Sequence, residues 1–284
     1  MHSYLRMAGL AAVFFTGLAS AAAAQQSTPK WVINGEGTRC TLFRVLAEGP
    51  PRASLVFRSY PGQDSAEFML ALDPWGRTFG PEDQMTLSLS PSGEVVKRRP
   101  VTLPLAKGAG KALSTTGVPG SFLEAFGKAK TLSVAVNGKE VASYPIPAEA
   151  SVAVEALREC KNEKLVEWGA DPAGFEPGAT PPKPVGEAKA WITYDDLHLP
   201  RHFGPGLFSA NIIARLGIAP DGQVDKCGLI ASNGEKRLES IACPLLLKRA
   251  RYEPARAKDG HPVRSVMTYS TGWTVVDTIT TTVW

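Results

Sequence analysis

The strongest constraint in this sequence is an alternation near its C-terminal end. Ala210, Ile212, Ala214, Leu216 and Ile218 share one parity, while Ser209, Asn211, Arg215 and Gly217 share the other. A period of two demands a strand with one buried face, because successive side chains leave opposite sides of the pleat. Pro220-Asp221-Gly222 ends the run with turn chemistry, proline presetting φ and glycine accepting a positive value. Residues 224–231 form the returning strand, so the pair reads as a hairpin. After Ser232-Asn233-Gly234, the residues Leu238, Ile241, Ala242, Leu245, Leu246 and Ala250 recur at helical spacing. Lys248, Arg249 and Arg251 complement the negative end of that helix, and Pro254 and Gly260 stop it. Pro244, inside the pattern, predicts a kink or a later start. Val263, Met267, Tyr269 and Trp273 then alternate with Arg264, Thr268 and Ser270, which adds a third strand and completes a ββαβ unit.

Four pieces of this unit occur together in a characteristic order: the Pro220-Asp221-Gly222 turn, the Asn233-Gly234 break, Arg249-Ala250-Arg251-Tyr252-Glu253-Pro254-Ala255, and Gly260-His261-Pro262-Val263. Over residues 190–276 the chain thereby resembles the TonB C-terminal domain, the periplasmic end of a protein that passes inner-membrane energy to outer-membrane transporters. The resemblance implies that the last strand, residues 263–273, pairs with a short extended peptide of a periplasmic or outer-membrane protein. Backbone hydrogen bonds would then give affinity, and the outward Arg264, Val266, Thr268 and Ser270 would give selectivity. One departure concerns the residues before the first strand. Pro200 and Pro205 stand there, so the short helix that the family often carries at that place is not expected.

The opening of the chain reads as an address label. Arg6 supplies a positive region, residues 8–18 an apolar core and Ala22-Ala23-Ala24 a small-residue cleavage site, so residues 1–24 are expected to be a signal peptide and Gln25 the mature start. The alternative is an uncleaved inner-membrane anchor, for which residues 8–24 lie at the bottom of the spanning range. Export makes the four cysteines candidates for two disulfides. Cys227 and Cys243 lie on the second strand and the following helix of the ββαβ unit, while Cys40 and Cys160 sit near the two ends of the upstream region. The expected pairs are therefore Cys40 with Cys160 and Cys227 with Cys243.

Residues 25–168 read as a β-rich, disulfide-clamped domain. Runs at 40–46, 53–58, 66–72, 85–90 and 95–105 are separated by Gly49-Pro50-Pro51, Tyr60-Pro61-Gly62 and Pro91-Ser92-Gly93. The strands 131–136 and 140–146 flank Asn137-Gly138, the preferred pair for a type I′ hairpin turn. A helix over 148–165, with Val152, Val154, Leu157 and Leu165 on one side, carries Cys160 to the core. The opening at 31–40 and this closing helix bear a slight resemblance to the invasion-associated locus B family of exported β-rich proteins. Residues 169–189 hold Pro172, Pro177, Pro181, Pro182 and Pro184 and read as a semi-stiff linker. At ~3.1 Å per residue such a segment reaches about 60 Å, short for a rod that must cross a periplasm. Residues 190–284 form the second domain. The fold class expected is thus α+β, a β-rich domain with a closing helix followed by a small ββαβ domain.

Few residues suggest chemistry. Asp195, Asp196, His198 and His202 cluster before the second domain, but Pro200 between the histidines denies them a shared helical face. Ser27-Thr28-Pro29-Lys30 matches a Ser-x-x-Lys nucleophile pattern without its usual partner motifs. No phosphate loop, Gly-x-Ser-x-Gly elbow or His-Glu-x-x-His occurs, so no catalytic residue, cofactor or metal is expected. The net charge of +4 gives no argument for nucleic acid. The basic runs Lys97-Arg98-Arg99 and 248–256 read as solvated faces, with anionic envelope polymers the alternative. The expected function is a non-enzymatic periplasmic binding module that takes a partner peptide by strand addition. The competing classes are an envelope enzyme with a dispersed site and a structural envelope protein.

Overall fold

In the first half of the chain, alternation becomes two antiparallel sheets around one core. The computed structural model of the protein describes residues 30–47, 52–73, 78–79, 82–105, 110–198, 207–276 and 280–283. The expected signal segment, the Ser27-Thr28-Pro29 part of the nucleophile pattern, Pro200, His202 and Pro205 lie outside them. The strands are β1 Val32–Asn34, β2 Cys40–Ala47, β3 Arg52–Ser59, β4 Ser65–Asp73, β5 Met85–Ser90, β6 Val95–Arg98, β7 Val101–Pro104 and β8 Lys111–Pro119. Helix α1 Gly120–Phe126 follows, then β9 Thr131–Val136, β10 Lys139–Pro145 and helix α2 Ala150–Glu167. One sheet runs β1-β2-β3-β4-β8-β7 and the other β10-β9-β5-β6. Leu42, Phe57, Phe68 and Leu70 of the first sheet meet Met85, Leu87, Leu132 and Val134 of the second in a single buried cluster. Phe126 packs edge-on against Trp31 and Phe57, with ring centroids 5.8 and 5.0 Å away.

Asn137 and Gly138 both have positive φ, 50° and 76°, as a type I′ turn needs. Helix α2 begins two residues later than its expected start, and its buried stripe is Ala150, Ala153, Leu157, Cys160 and Leu165. Val152, placed on the inward face by sequence, is exposed. The run expected over 95–105 divides into β6 and β7, which belong to different sheets. Pro100 stands at the break, where it cannot donate to either ladder. Cys160 of α2 is bonded to Cys40 of β2, and Cys227 is bonded to Cys243. Both expected pairs are present.

The second half continues with β11 Lys183–Pro184, β12 Leu207–Ile218, β13 Val224–Ser232, helix α3 Lys236–Arg249, β14 Tyr252–Glu253, β15 Ala255–Arg256, β16 Pro262–Val263, β17 Ser265–Val276 and β18 Thr280–Val283. Its sheet has the order β13-β12-β17-β18, all neighbours antiparallel. The inward parity of β12, from Ala210 to Ile218, is buried against Leu238, Ala242 and Leu246 of α3. Trp191, Tyr252 and Tyr269 close the end of this core, Trp191 lying 5.2 Å from the Tyr252 ring and 5.6 Å from that of Tyr269. Burial pushes the pKa of Tyr252 and of Tyr269 up. Helix α3 runs on through Pro244, which is exposed, so the only helical donor missing there is the one that would meet the Ser240 carbonyl. Before β12 the chain makes a 3-10 turn, Tyr194–Leu197, closed by a capping box between Thr193 and Asp196.

The proline-rich segment at 169–189 is laid along the second unit by hydrogen bonds rather than hanging as a tether. The Asp171 amide donates to the Arg264 carbonyl at 2.9 Å, Thr180 and Arg256 exchange backbone bonds at 2.8 and 2.9 Å, and Val185 donates to the Arg251 carbonyl at 2.9 Å. Strand β11 pairs with β14 in the same stretch. Pro172 opens a 3-10 turn and Pro177 lies in a turn, while the residues between the prolines keep their N–H groups, several of which find the carbonyls of 251–264.

The two halves also touch directly. Lys161 of α2 donates to the Gln63 carbonyl at 2.8 Å and fixes the Tyr60-Pro61-Gly62 turn. The Pro61 carbonyl accepts a bond from the Thr268 hydroxyl at 2.9 Å. Leu165 and Ala170 pack on Val266, so on the face of β17 turned away from α3 the end of α2 and this turn cover Val266 and Thr268, while Ser270 stays exposed.

Candidate functional site

A strand at the end of a sheet keeps one row of backbone donors and acceptors unpaired, and such a row is a template for another extended chain. The sheet of the second unit ends in β18 on one side and in β13 on the other. The first residues of β13 are met by the 250s, where the Tyr252 amide donates to the Gly222 carbonyl at 2.9 Å and Gln223 bridges Arg251. From Asp225 to Ser232 its only strand partner among the described residues is β12. Two bulges shape this edge: Asp225 and Ile230 are the residues skipped in the register with β12. Bulges re-aim side chains. The Asp225 carboxylate is turned to Arg264, which donates to both of its oxygens at 2.7 Å. That guanidinium holds the Asp225 carboxyl below the usual carboxylate range, and the pair raises Arg264 in turn.

Beside this edge lies a cleft of about 410 Å³, lined by Trp168, Arg215, Gly217, Asp225, Lys226, Cys227, Leu247 and Val266. Arg215 and Gly217 have the parity turned away from α3, whereas Leu247 belongs to α3 and Cys227 is bonded to it. The cleft therefore runs round the edge of β13 from one face of the sheet to the other. Arg215 lies over the Trp168 ring, its guanidinium carbon 5.5 Å from the centroid. Gly217 keeps the passage open: a Cβ there would come within 2.8 Å of the Arg264 guanidinium and 3.0 Å of the Lys226 Cβ. Leu229 and Leu247 are apolar and open to solvent, at 37% and 39% of full exposure.

The four residues that sequence placed on a partner-binding edge of the last strand are distributed otherwise. Strand β17 is paired along its whole length with β12 and, over Trp273 to Val276 only, with β18; from Ser265 to Gly272 its other side has no strand partner among the described residues, and the turn at Tyr60-Pro61-Gly62 lies against Met267 and Thr268. Val266 and Thr268 are buried, one against Leu165 and Ala170 and the other against Pro61, so neither is an outward, solvent-facing side chain. Arg264 precedes the strand and is engaged by Asp225; Ser270 is exposed. The cleft brings together Val266 and, through Asp225, Arg264; it does not include Thr268 or Ser270. Sequence reasoning missed Trp168, Arg215, Lys226 and Leu247. A signal was present, because a hairpin followed by a helical crossover onto the first strand leaves the second strand outermost.

The other candidates have structural partners. Asp196 receives two bonds from Arg249, at 2.6 and 2.8 Å, and the Thr193 amide at 2.8 Å, which hold its carboxyl far below the ordinary range. His198 caps the 3-10 turn in a left-handed conformation. Among the described residues no group of three or more His, Cys, Asp and Glu side chains is arranged to hold a metal ion. Lys97, Arg98 and Arg99 line a second cleft of about 430 Å³ together with Glu82 and Asp83, so its charge is mixed. Arg98 itself donates to the Gly117 carbonyl at 2.9 and 2.7 Å. No helix among the described residues is long and apolar enough to cross a membrane. No family model, curated protein or solved structure matches this chain.

Proposed function

We propose that this chain is an exported, non-enzymatic binding protein of the cell envelope. Its second unit, similar to a TonB C-terminal domain, takes an extended segment of a periplasmic or outer-membrane protein as an added strand. The edge that receives the segment is β13, in place of the β17 edge that the sequence resemblance implied. The observation that carries this reading is the run from Asp225 to Ser232, which has no strand partner on its outer side among the described residues, alongside a cleft that wraps the same strand. Between the bulges at Asp225 and Ile230, the residues Lys226 to Leu229 keep a regular register and set the pairing of the incoming strand. Each backbone bond contributes about 0.5–1.5 kcal/mol net, so a short segment binds reversibly and its side chains decide the partner. The disulfides support export, since they persist in oxidising compartments. The proline-rich segment lies along the second unit instead of extending as a rod, which favours a module working apart from energy coupling.

Selection of a random nonapeptide library on the full chain tests the proposal. Peptides should be enriched on the parent and lost on Leu229→Lys, a charge of the kind that natural edge strands use to repel pairing. Enrichment of the same peptides on a folded Leu229→Lys chain would contradict the β13 edge.

A further inference from the structure

We infer that the cleft beside β13 selects an acidic side chain flanked by apolar neighbours in the added strand; this rests on the strand-addition reading. Three ionisable side chains line the cleft: Arg215, Lys226 and Asp225. The Asp225 carboxylate has both oxygens occupied by Arg264, so its charge is already matched within the protein. Arg215 is oriented by the Trp168 ring, a contact that positions a guanidinium without neutralising it. Lys226 is exposed and stands opposite Gly217, on the same face as Arg215. Arg215, Lys226 and Arg264 thus face a single carboxylate, and the surplus is positive.

Alternation along the added strand does the rest. Side chains of successive residues leave opposite faces of a strand. A residue that turns toward Arg215 and Lys226 has neighbours that turn toward the α3 side, where Leu247 and Leu229 are exposed. The acceptable pattern is therefore apolar, acidic, apolar. An aspartate or glutamate at the centre makes charge-assisted hydrogen bonds beside the low-dielectric wall of Trp168 and Val266.

The test uses the peptides enriched by library selection on the full chain. Their aligned sequences should show an acidic residue at one register position with apolar residues on both sides. A labelled consensus peptide should then bind the parent about tenfold more tightly than its Asp→Asn counterpart in anisotropy titrations at low salt. On a Lys226→Gln, Arg215→Gln chain that preference should fall to within about twofold. Selected peptides that lack an acidic position, or that bind equally well after Asp→Asn, overturn the acidic class and leave the β13 edge standing as long as Leu229→Lys still abolishes binding. A preference for the acid that survives in Leu229→Lys puts the cationic site elsewhere and overturns both.

Discussion

Gly222 has φ +84°, and a Cβ built on it would lie 1.9 Å from the Tyr252 carbonyl oxygen. The Pro-Asp-Gly turn is thus a hairpin end and also the socket into which the strand after α3 docks, with the Tyr252 amide donating to the Gly222 carbonyl. Gly222→Ala meets backbone that cannot retreat as well as an unfavourable φ, and is expected to cost about 3–4 kcal/mol, read as a lower denaturation midpoint. Charge acts at the same scale. The carboxyls of Asp196 and Asp225 are held below their ordinary range, by Arg249 and Arg264 respectively. A depressed folded pKa contributes stability that is present above the unfolded value of ~3.9 and is lost as pH falls through the folded one. Melting temperature should therefore decline as pH is lowered from ~5 to ~2. Asp196→Asn should melt below the parent at neutral pH, and the two curves should converge in acid. Parallel curves would mean that the Arg249 pair contributes nothing to the acid response.

At the scale of elements, Cys227–Cys243 fastens α3 to the edge strand that the binding proposal uses. Replacing both cysteines by serine opens a loop with a sequence separation of 16. By loop entropy the loss is about 3 kcal/mol, seen in chemical denaturation, with earlier amide exchange in β13 than in β12. This disulfide was legible in the sequence because the expected export, cysteine position and helical spacing agreed. So were β12, from its alternation, and the β9–β10 hairpin, from Asn137-Gly138. Strand β8 was not, because four successive residues, Ala112 to Thr115, are buried and no period of two survives. Helix α1 has only seven residues, too few for a periodic signal. Thr268 shows the other limit. Alternation says that Val266, Thr268 and Ser270 share a face, but whether a second layer covers that face is decided by residues 60–62, two hundred positions away. The edge position of β13 is likewise a property of sheet order, which no local pattern of residues 224–232 expresses.

At the scale of the molecule, the first unit covers one face of the second at Val266 and Thr268 and leaves the β13 edge open beside a cleft. The Tyr60-Pro61-Gly62 turn does this closely: a Cβ on Gly62 would stand 2.9 Å from the Met267 Cα and the Thr268 nitrogen. Leu165 and Trp168 of the α2 end add the floor, and Trp168 also holds Arg215 in the cleft. In the proposed strand-addition reading, the first unit is thus part of the surface that meets the partner. Amide hydrogen exchange on the full chain, with and without a library-selected peptide, reads directly whether β13 is the strand that receives it. Exchange at least tenfold slower is expected only for amides between Asp225 and Ser232, with no slowing along the open side of β17 from Ser265 to Gly272. Slowing in β17 or β18 with none in β13 would contradict strand addition at β13.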